Sequence, residues 1–221
     1  MRQTSRVDGI RAVIFDMDGV LVDSEPLHFE AARLVLARHG VCFTEAENQE
    51  FLGVTAHETY ATLRARHGLA VPEDQLVDAY AAELIRLIPT QVRPMAGVPE
   101  VLERLRAAGF RLGLASSAER VVISATLAGL GVADLFEVVV AGTDVGRGKP
   151  APDIFLQCAR RLGVPASACF VIEDSRNGVL AARAAGMRCA AIPCSATAEH
   201  DLSAATCRLP SLLALPGLLA G

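Results

Sequence analysis

Between residues 98 and 192 the chain repeats one pattern: a short apolar run, a longer amphipathic stretch, then another apolar run. RLGLAS (111–116), EVVVAG (137–142), CFVIED (169–174) and MRCAAI (187–192) have the length and character of strands, and AVIFD (12–16) is an earlier run of the same kind. VPEVLERLRAAG (98–109), VVISATLAGLG (121–131), PDIFLQCARRLG (152–163) and NGVLAARAAG (177–186) read as helices, each closed by a glycine. A strand with one wet face alternates apolar and polar residues. These are apolar almost throughout, so both faces must be covered. Such strands joined by helices form a parallel sheet wrapped by helices, an α/β fold.

Residues 26–92 break the pattern. HFEAARLVLARHG (28–40), AHETYATLRARHG (56–68) and EDQLVDAYAAELIRLI (73–88) have helical periodicity, and no strand signal lies among them. The expected organisation is a core of residues 1–25 and 93–221, with 26–92 inserted after the first strand as a helical cap. The insert holds nine acidic and five basic residues, while the rest balances at 16 to 16, so the whole net charge of −4 belongs to the insert. A nucleic-acid backbone would need a basic excess, or a basic stripe with interleaved aromatics, and neither is present. The amino terminus has no signal-peptide pattern, and the closing LLALPGLLAG is too short to span a bilayer and is broken by Pro216. The six cysteines form no CxxC pair, which fits free thiols in a reducing compartment. A soluble, cytoplasmic protein, a monomer or weak dimer, is expected.

In sheets of this kind ligands bind at the carboxyl ends of the strands, and four of those ends carry polar residues. After the first strand come Asp16 and Asp18, with Gly19 permitting a turn. Ser116 and Ser117 follow the second, where hydroxyls either cap a helix or face an anion at its amino terminus. Beyond the third lies GRGKPAP (146–152) with Lys149, the one lysine against twenty arginines. An ammonium is a compact point charge, suited to a phosphate or a carboxylate pair, whereas arginine is a planar fork. Glu173 and Asp174 end the fourth, either as caps or as hard oxygen ligands for Mg2+. Each segment has an ordinary structural explanation alone. Together they place four acids, a lysine and a hydroxyl at successive strand ends.

Taken in order, DMDGVLVDSE (16–25), LASSA (114–118), GKPAPDIF (148–155) and VIEDSRNG (171–178) resemble the motifs of the haloacid dehalogenase superfamily, in its branch of phosphatases and β-phosphoglucomutase-like enzymes with a helical cap. The resemblance implies a Rossmann-like core and phosphoryl transfer through an aspartyl phosphate. It assigns Asp16 as nucleophile and Asp18 as general acid and base. Mg2+ would be held by Asp16, the Asp18 carbonyl and Asp174, with Glu173 as a ligand or close neighbour. Ser116, Ser117 and Lys149 would hold the phosphate. Asp18 argues against the dehalogenase reaction, whose enzymes lack a second aspartate in that role.

The same resemblance separates hydrolysis from a mutase reaction. In β-phosphoglucomutases an arginine of the cap and a lysine after the serine motif serve a second phosphate. Ala56 and Glu119 occupy those positions here. The expectation is a Mg2+-dependent phosphatase acting on a small phosphorylated metabolite, with sugar phosphates among the candidates, and His28, Thr55 and His57 as cap residues facing the substrate. A mutase is the alternative. A silent binding module ranks below both, because the acids and the lysine are all present.

Overall fold

The computed structural model describes residues 9–51 and 54–219. Residues 1–8 of the expected core and two residues of the FLGVTAHET segment lie outside the described residues. β1 (Ala12–Phe15) is followed by α1 (Glu25–Ala37), α2 (Glu45–Asn48), α3 (Ala56–His67) and α4 (Glu73–Gln91). After α5 (Val98–Ala107) the chain alternates: β2 (Arg111–Ser116), α6 (Arg120–Leu130), β3 (Val138–Ala141), α7 (Asp153–Leu162), β4 (Cys169–Glu173), α8 (Arg176–Ala184) and β5 (Arg188–Ala191). A two-residue β6 (Cys207–Arg208) and a short α9 (Leu215–Leu219) complete it. Two compact units result: residues up to Asp23 with those from Arg93 onward, and Ser24–Val92.

The first unit is a Rossmann-like α/β fold. Its sheet has the order β3-β2-β1-β4-β5-β6, and every neighbouring pair is parallel. Successive side chains of a strand point to opposite faces, and here both faces are filled. On one, Ala12, Ile14, Val140, Val171 and Cys189 pack against Ile154, Phe155, Cys158 and Leu162 of α7 and Val179 and Ala182 of α8. The alternate residues Val13, Phe15, Leu112, Leu114, Phe170 and Ile172 are equally buried. A side chain at Gly113 would stand 2.6 Å from the Cys158 sulfur, so this glycine in β2 lets α7 approach the sheet.

In the second unit α1 packs along α4, and α3 also packs on α4. Ala32, Val35, Leu36, Phe43, Tyr60, Leu63 and Leu76 form its core. α1 starts at Glu25, earlier than the expected 28, because Pro26 sits in the first turn, where a missing N–H costs no helical bond. α4 runs through Pro89 to Gln91, past the expected end at 88. Among the described residues no helix is long and apolar enough to cross a membrane.

Candidate active site

The strand order reverses about β1, with β2 on one side and β4 on the other, and crevices in such sheets open at that switch point. The register levels the ends of these three strands: Phe15 pairs with Leu114 of β2 and Ile172 of β4. One residue further along stand Asp16, Ala115 and Glu173. The Asp16 N–H still donates to the Ile172 carbonyl (2.9 Å), so the ladder fixes the Asp16 backbone before the chain turns. In the turn the Met17 carbonyl accepts from Leu21 (2.8 Å) and the Gly19 N–H donates to Val22 (2.9 Å). Gly19 has φ +72°, and a Cβ there would lie 2.2 Å from Asp174 Oδ2. The position therefore demands glycine twice over, for its backbone and for the close approach of Asp174.

Lys149 reaches into this level from the loop before α7. Its ammonium donates to Asp16 Oδ1 (2.6 Å), Glu173 Oε1 (2.6 Å) and the Ala115 carbonyl (3.2 Å), which uses all three protons. The alkyl stem is buried, and the ammonium stands 5.0 Å from the centre of the Phe155 ring. Burial alone would depress this ammonium. The Asp16 and Glu173 carboxylates outweigh it and hold Lys149 above its ordinary range.

Glu173 is the most enclosed acid. Its Oε2 accepts from the N–H groups of Asp174 and Ser175 and from the Ser175 hydroxyl, each at 3.0 Å, while Oε1 takes Lys149. A Cβ on Gly178 would lie 1.7 Å from Oε1, so the first turn of α8 wraps the carboxylate with no room to spare. Glu173 thus joins Lys149 to the start of α8, where Ser175 caps the helix by accepting from the Gly178 N–H (3.1 Å).

Oxygens of Asp16, Glu173 and Asp174 all lie within 4.8 Å of one another, and all three residues are buried. Burial raises the Asp16 carboxyl, Lys149 opposes this, and the charges of Glu173, Asp174 and Asp18 push it further up. Asp174 is pushed up to about 7, by burial first and then by Glu173. Two like charges 4 Å apart repel by about 4 kcal/mol at an effective dielectric of 20, and one ammonium cannot offset several such pairs. A divalent cation would, and a set of carboxylate oxygens is the donor chemistry that suits Mg2+. The residues fit the ion on this ground.

Ser116 ends β2 and is fully buried, with Oγ accepting from the Ala118 N–H (3.1 Å). The hydroxyl keeps its own proton to donate. One expectation needs correcting here. Ser116 and Ser117 do not cap a helix: the helix N-cap is Glu119, and the serine hydroxyl closes the tight turn before it. Ser117 is exposed, and its carbonyl lies 2.3 Å from where a Cβ on Gly142 would sit, so glycine lets the two loops meet.

The structure therefore gathers Asp16, Lys149, Glu173 and Asp174 in one cluster, with Asp18 in the turn beside it and Ser116 at the next strand end. His28, Thr55 and His57 belong to the other unit. There His28 Nδ1 is hydrogen bonded to the Tyr80 hydroxyl (2.5 Å). Thr55 caps α3 in a reciprocal box with Glu58, its hydroxyl 2.8 Å from the Glu58 carboxylate. His57 pairs with Glu73 (3.0 Å). For Thr55 and His57 these partners supply a local structural role that the sequence had not suggested. Sequence reasoning also missed Cys194 and Thr197, on the loop after β5, which both contact Asp174 Oδ2 (3.3 and 3.2 Å). The only available signal was that the fifth strand, like the other four, has a carboxyl end.

The family model for haloacid dehalogenase-like hydrolases matches residues 10–186. Protein CbbY of Rhodobacter capsulatus is 34% identical over 215 residues, covering 93% of this chain and 95% of that protein. A phosphorylated carbohydrates phosphatase of Thermotoga maritima is 35% identical over 178 residues, covering 80% and 82%. Among solved structures, CbbY from Rhodobacter sphaeroides in complex with phosphate superposes with a TM-score of 0.82 at 29% identity, covering 93% of this chain and 96% of that one. The match spans β1 to the end of α8, including every strand end that carries the clustered acids and the lysine: the chain belongs to the haloacid dehalogenase-like hydrolases.

Proposed function

We propose that this hydrolase is a Mg2+-dependent phosphatase that cleaves a small phosphorylated carbohydrate through an aspartyl phosphate on Asp16. The observation that carries the proposal is the Lys149 clamp: one ammonium 2.6 Å from both Asp16 and Glu173, with Asp174 alongside. It fixes the rotation of the Asp16 carboxylate and supplies positive charge where a phosphoryl group must approach an acid. Positioning and charge stabilisation are most of what phosphoryl transfer requires. The substrate class is supported by the relative named as a phosphorylated carbohydrates phosphatase.

In this mechanism a carboxylate oxygen of Asp16 attacks phosphorus. The bond from phosphorus to the sugar oxygen breaks, and Asp18 gives that oxygen its proton. Water then attacks the same phosphorus, Asp18 takes the water's proton, and the bond to Asp16 breaks to release inorganic phosphate. The Ser116 hydroxyl, with neighbouring backbone N–H groups, holds a phosphoryl oxygen through both steps. Asp16, the Asp18 carbonyl and Asp174 would hold Mg2+, which when bound draws charge from the phosphate oxygens. Glu173 sets Lys149 and the Asp174 turn rather than binding the ion, since its oxygens are already engaged by four donors. In this reading the helical insert 26–92 serves as the cap, and His28 and Thr55 are its substrate-binding residues. Six free cysteines fit a cytoplasmic setting.

A panel of sugar phosphates and other small phosphate esters, assayed with Mg2+ and with chelator, tests this. Release of phosphate that is lost on chelation, and abolished in Asp16→Asn, is expected. Asp18→Asn should slow turnover by about 10²- to 10⁴-fold, the usual worth of a positioned acid–base group. Full activity in Asp16→Asn, or turnover indifferent to chelation, would overturn the mechanism.

A further inference from the structure

The loop between β5 and β6 plays no part in the mechanism above, yet among the described residues it makes every side-chain hydrogen bond to the Asp174 carboxylate. Thr197 Oγ1 accepts the Cys194 N–H (3.0 Å) and lies 3.2 Å from Asp174 Oδ2. With its acceptor side taken by that amide, the hydroxyl proton is directed at the carboxylate. The Cys194 thiol is a second donor to the same oxygen (3.3 Å). Thr197 N–H donates in turn to the Cys194 carbonyl (3.2 Å), which closes the loop on itself and holds both donors in place. Thr197 and Asp174 are buried, and Cys194 is half-buried.

All of these bonds fall on Oδ2. Among the described residues Oδ1 receives none, so it is the oxygen left for a cation. Gly19 closes Oδ2 from the other side: a Cβ there would lie 2.2 Å from Oδ2 and 3.1 Å from the Cys194 sulfur. The carboxylate is thus gripped by one oxygen between the turn after β1 and the loop after β5. A carboxylate held in this way does not lose rotational freedom when it takes up a metal ion, and hydrogen-bonded neighbours of metal ligands commonly set affinity.

We propose that Thr197, assisted by Cys194, is a positioning residue that presents Asp174 to the divalent cation and sets the affinity of the site for it. This rests on Asp174 being a metal ligand, as the proposed function has it. Both act through Asp174 rather than on the substrate or the reacting atoms.

The test is direct Mn2+ binding to the full chain without substrate, followed by electron paramagnetic resonance of the free ion, with each variant's fold checked by circular dichroism. Thr197→Val should weaken binding by about 10- to 100-fold, the range seen when such partners of metal ligands are removed. Thr197→Ser should restore it, and Cys194→Ala should weaken it to a smaller degree. In steady-state assays the loss should appear in the Mg2+ concentration needed for half-maximal rate rather than in kcat. Wild-type Mn2+ affinity in Thr197→Val, with affinity lost in Asp174→Asn, would overturn the positioning role and leave Asp174 as a ligand. Unchanged affinity in Asp174→Asn would overturn both. Where Thr197→Val does not fold, Cys194→Ala decides: weakened binding supports the role, and unchanged binding overturns it.

Discussion

A chain that uses arginine at twenty positions and lysine at one has placed that lysine between two buried carboxylates. The reason is steric as well as electrostatic. Three acceptors converge on a single nitrogen at 2.6, 2.6 and 3.2 Å, a geometry that a tetrahedral ammonium meets and a planar guanidinium does not. Lys149→Arg keeps the charge but is expected to lose most activity in steady-state assays; near-normal kcat would show that charge alone suffices. Lys149→Met leaves Asp16 and Glu173 uncompensated, and should cost about 3–5 kcal/mol in denaturant unfolding, as breaking a buried ion pair does. Asp174 makes a separate expectation about pH. Its folded pKa of about 7 lies above the ordinary value of 3.8, so between these limits the folded state binds more protons than the unfolded one. Stability contributed by this group is complete below the lower limit and is lost as pH rises towards the upper. In chelator, wild type should therefore lose stability relative to Asp174→Asn over that window. Mg2+ should reverse the trend, because only the ionised carboxylate binds it. A difference between the two proteins that does not change with pH would contradict this.

At the scale of the elements, the glycines decide how closely loops and helices approach the acids. Gly178→Ala would put a Cβ 1.7 Å from Glu173 Oε1, and should lower the melting temperature sharply and reduce activity. Gly146→Ala meets nothing within 4 Å and should do neither. Equal melting temperatures would show that α8 can shift without cost. Five of the six strands among the described residues were legible in the sequence because burial on both faces leaves continuous apolar runs such as VVVA and CFVIE. β6 was not legible, since two residues at a sheet edge carry no periodicity. The acids were legible because they follow strand ends, where the fold collects ligands, and Lys149 because it is the one lysine of the sequence and lies in the loop beyond the third strand. Ser116 was legible from its place at the end of β2, but the turn that its hydroxyl closes was not, and the helix begins only after Glu119. The capping box of Thr55 with Glu58 was not legible, because a threonine that caps a helix and one that faces a ligand look alike in sequence. Cys194 and Thr197 were invisible, because their contact with Asp174 depends on where the loop after β5 returns to the sheet.

For the whole molecule, the charge is split between an insert of net −4 and a remainder that balances. Attraction for a phosphorylated substrate is therefore local, from Lys149, the backbone N–H groups after β2 and the cation that the acids would hold. Such short-range attraction is screened little by salt, so kcat/KM should change by less than tenfold between low and physiological ionic strength. A steeper fall would point to long-range steering by the protein's overall field. The central claim, that Asp16 carries the phosphoryl group, is tested most directly by acid-quenching a single turnover with excess enzyme and a radiolabelled sugar phosphate. The account expects label bound to the protein, released by hydroxylamine, and absent from Asp16→Asn. Free phosphate formed at every quench time with no labelled protein, and at the same rate in Asp16→Asn, would contradict it.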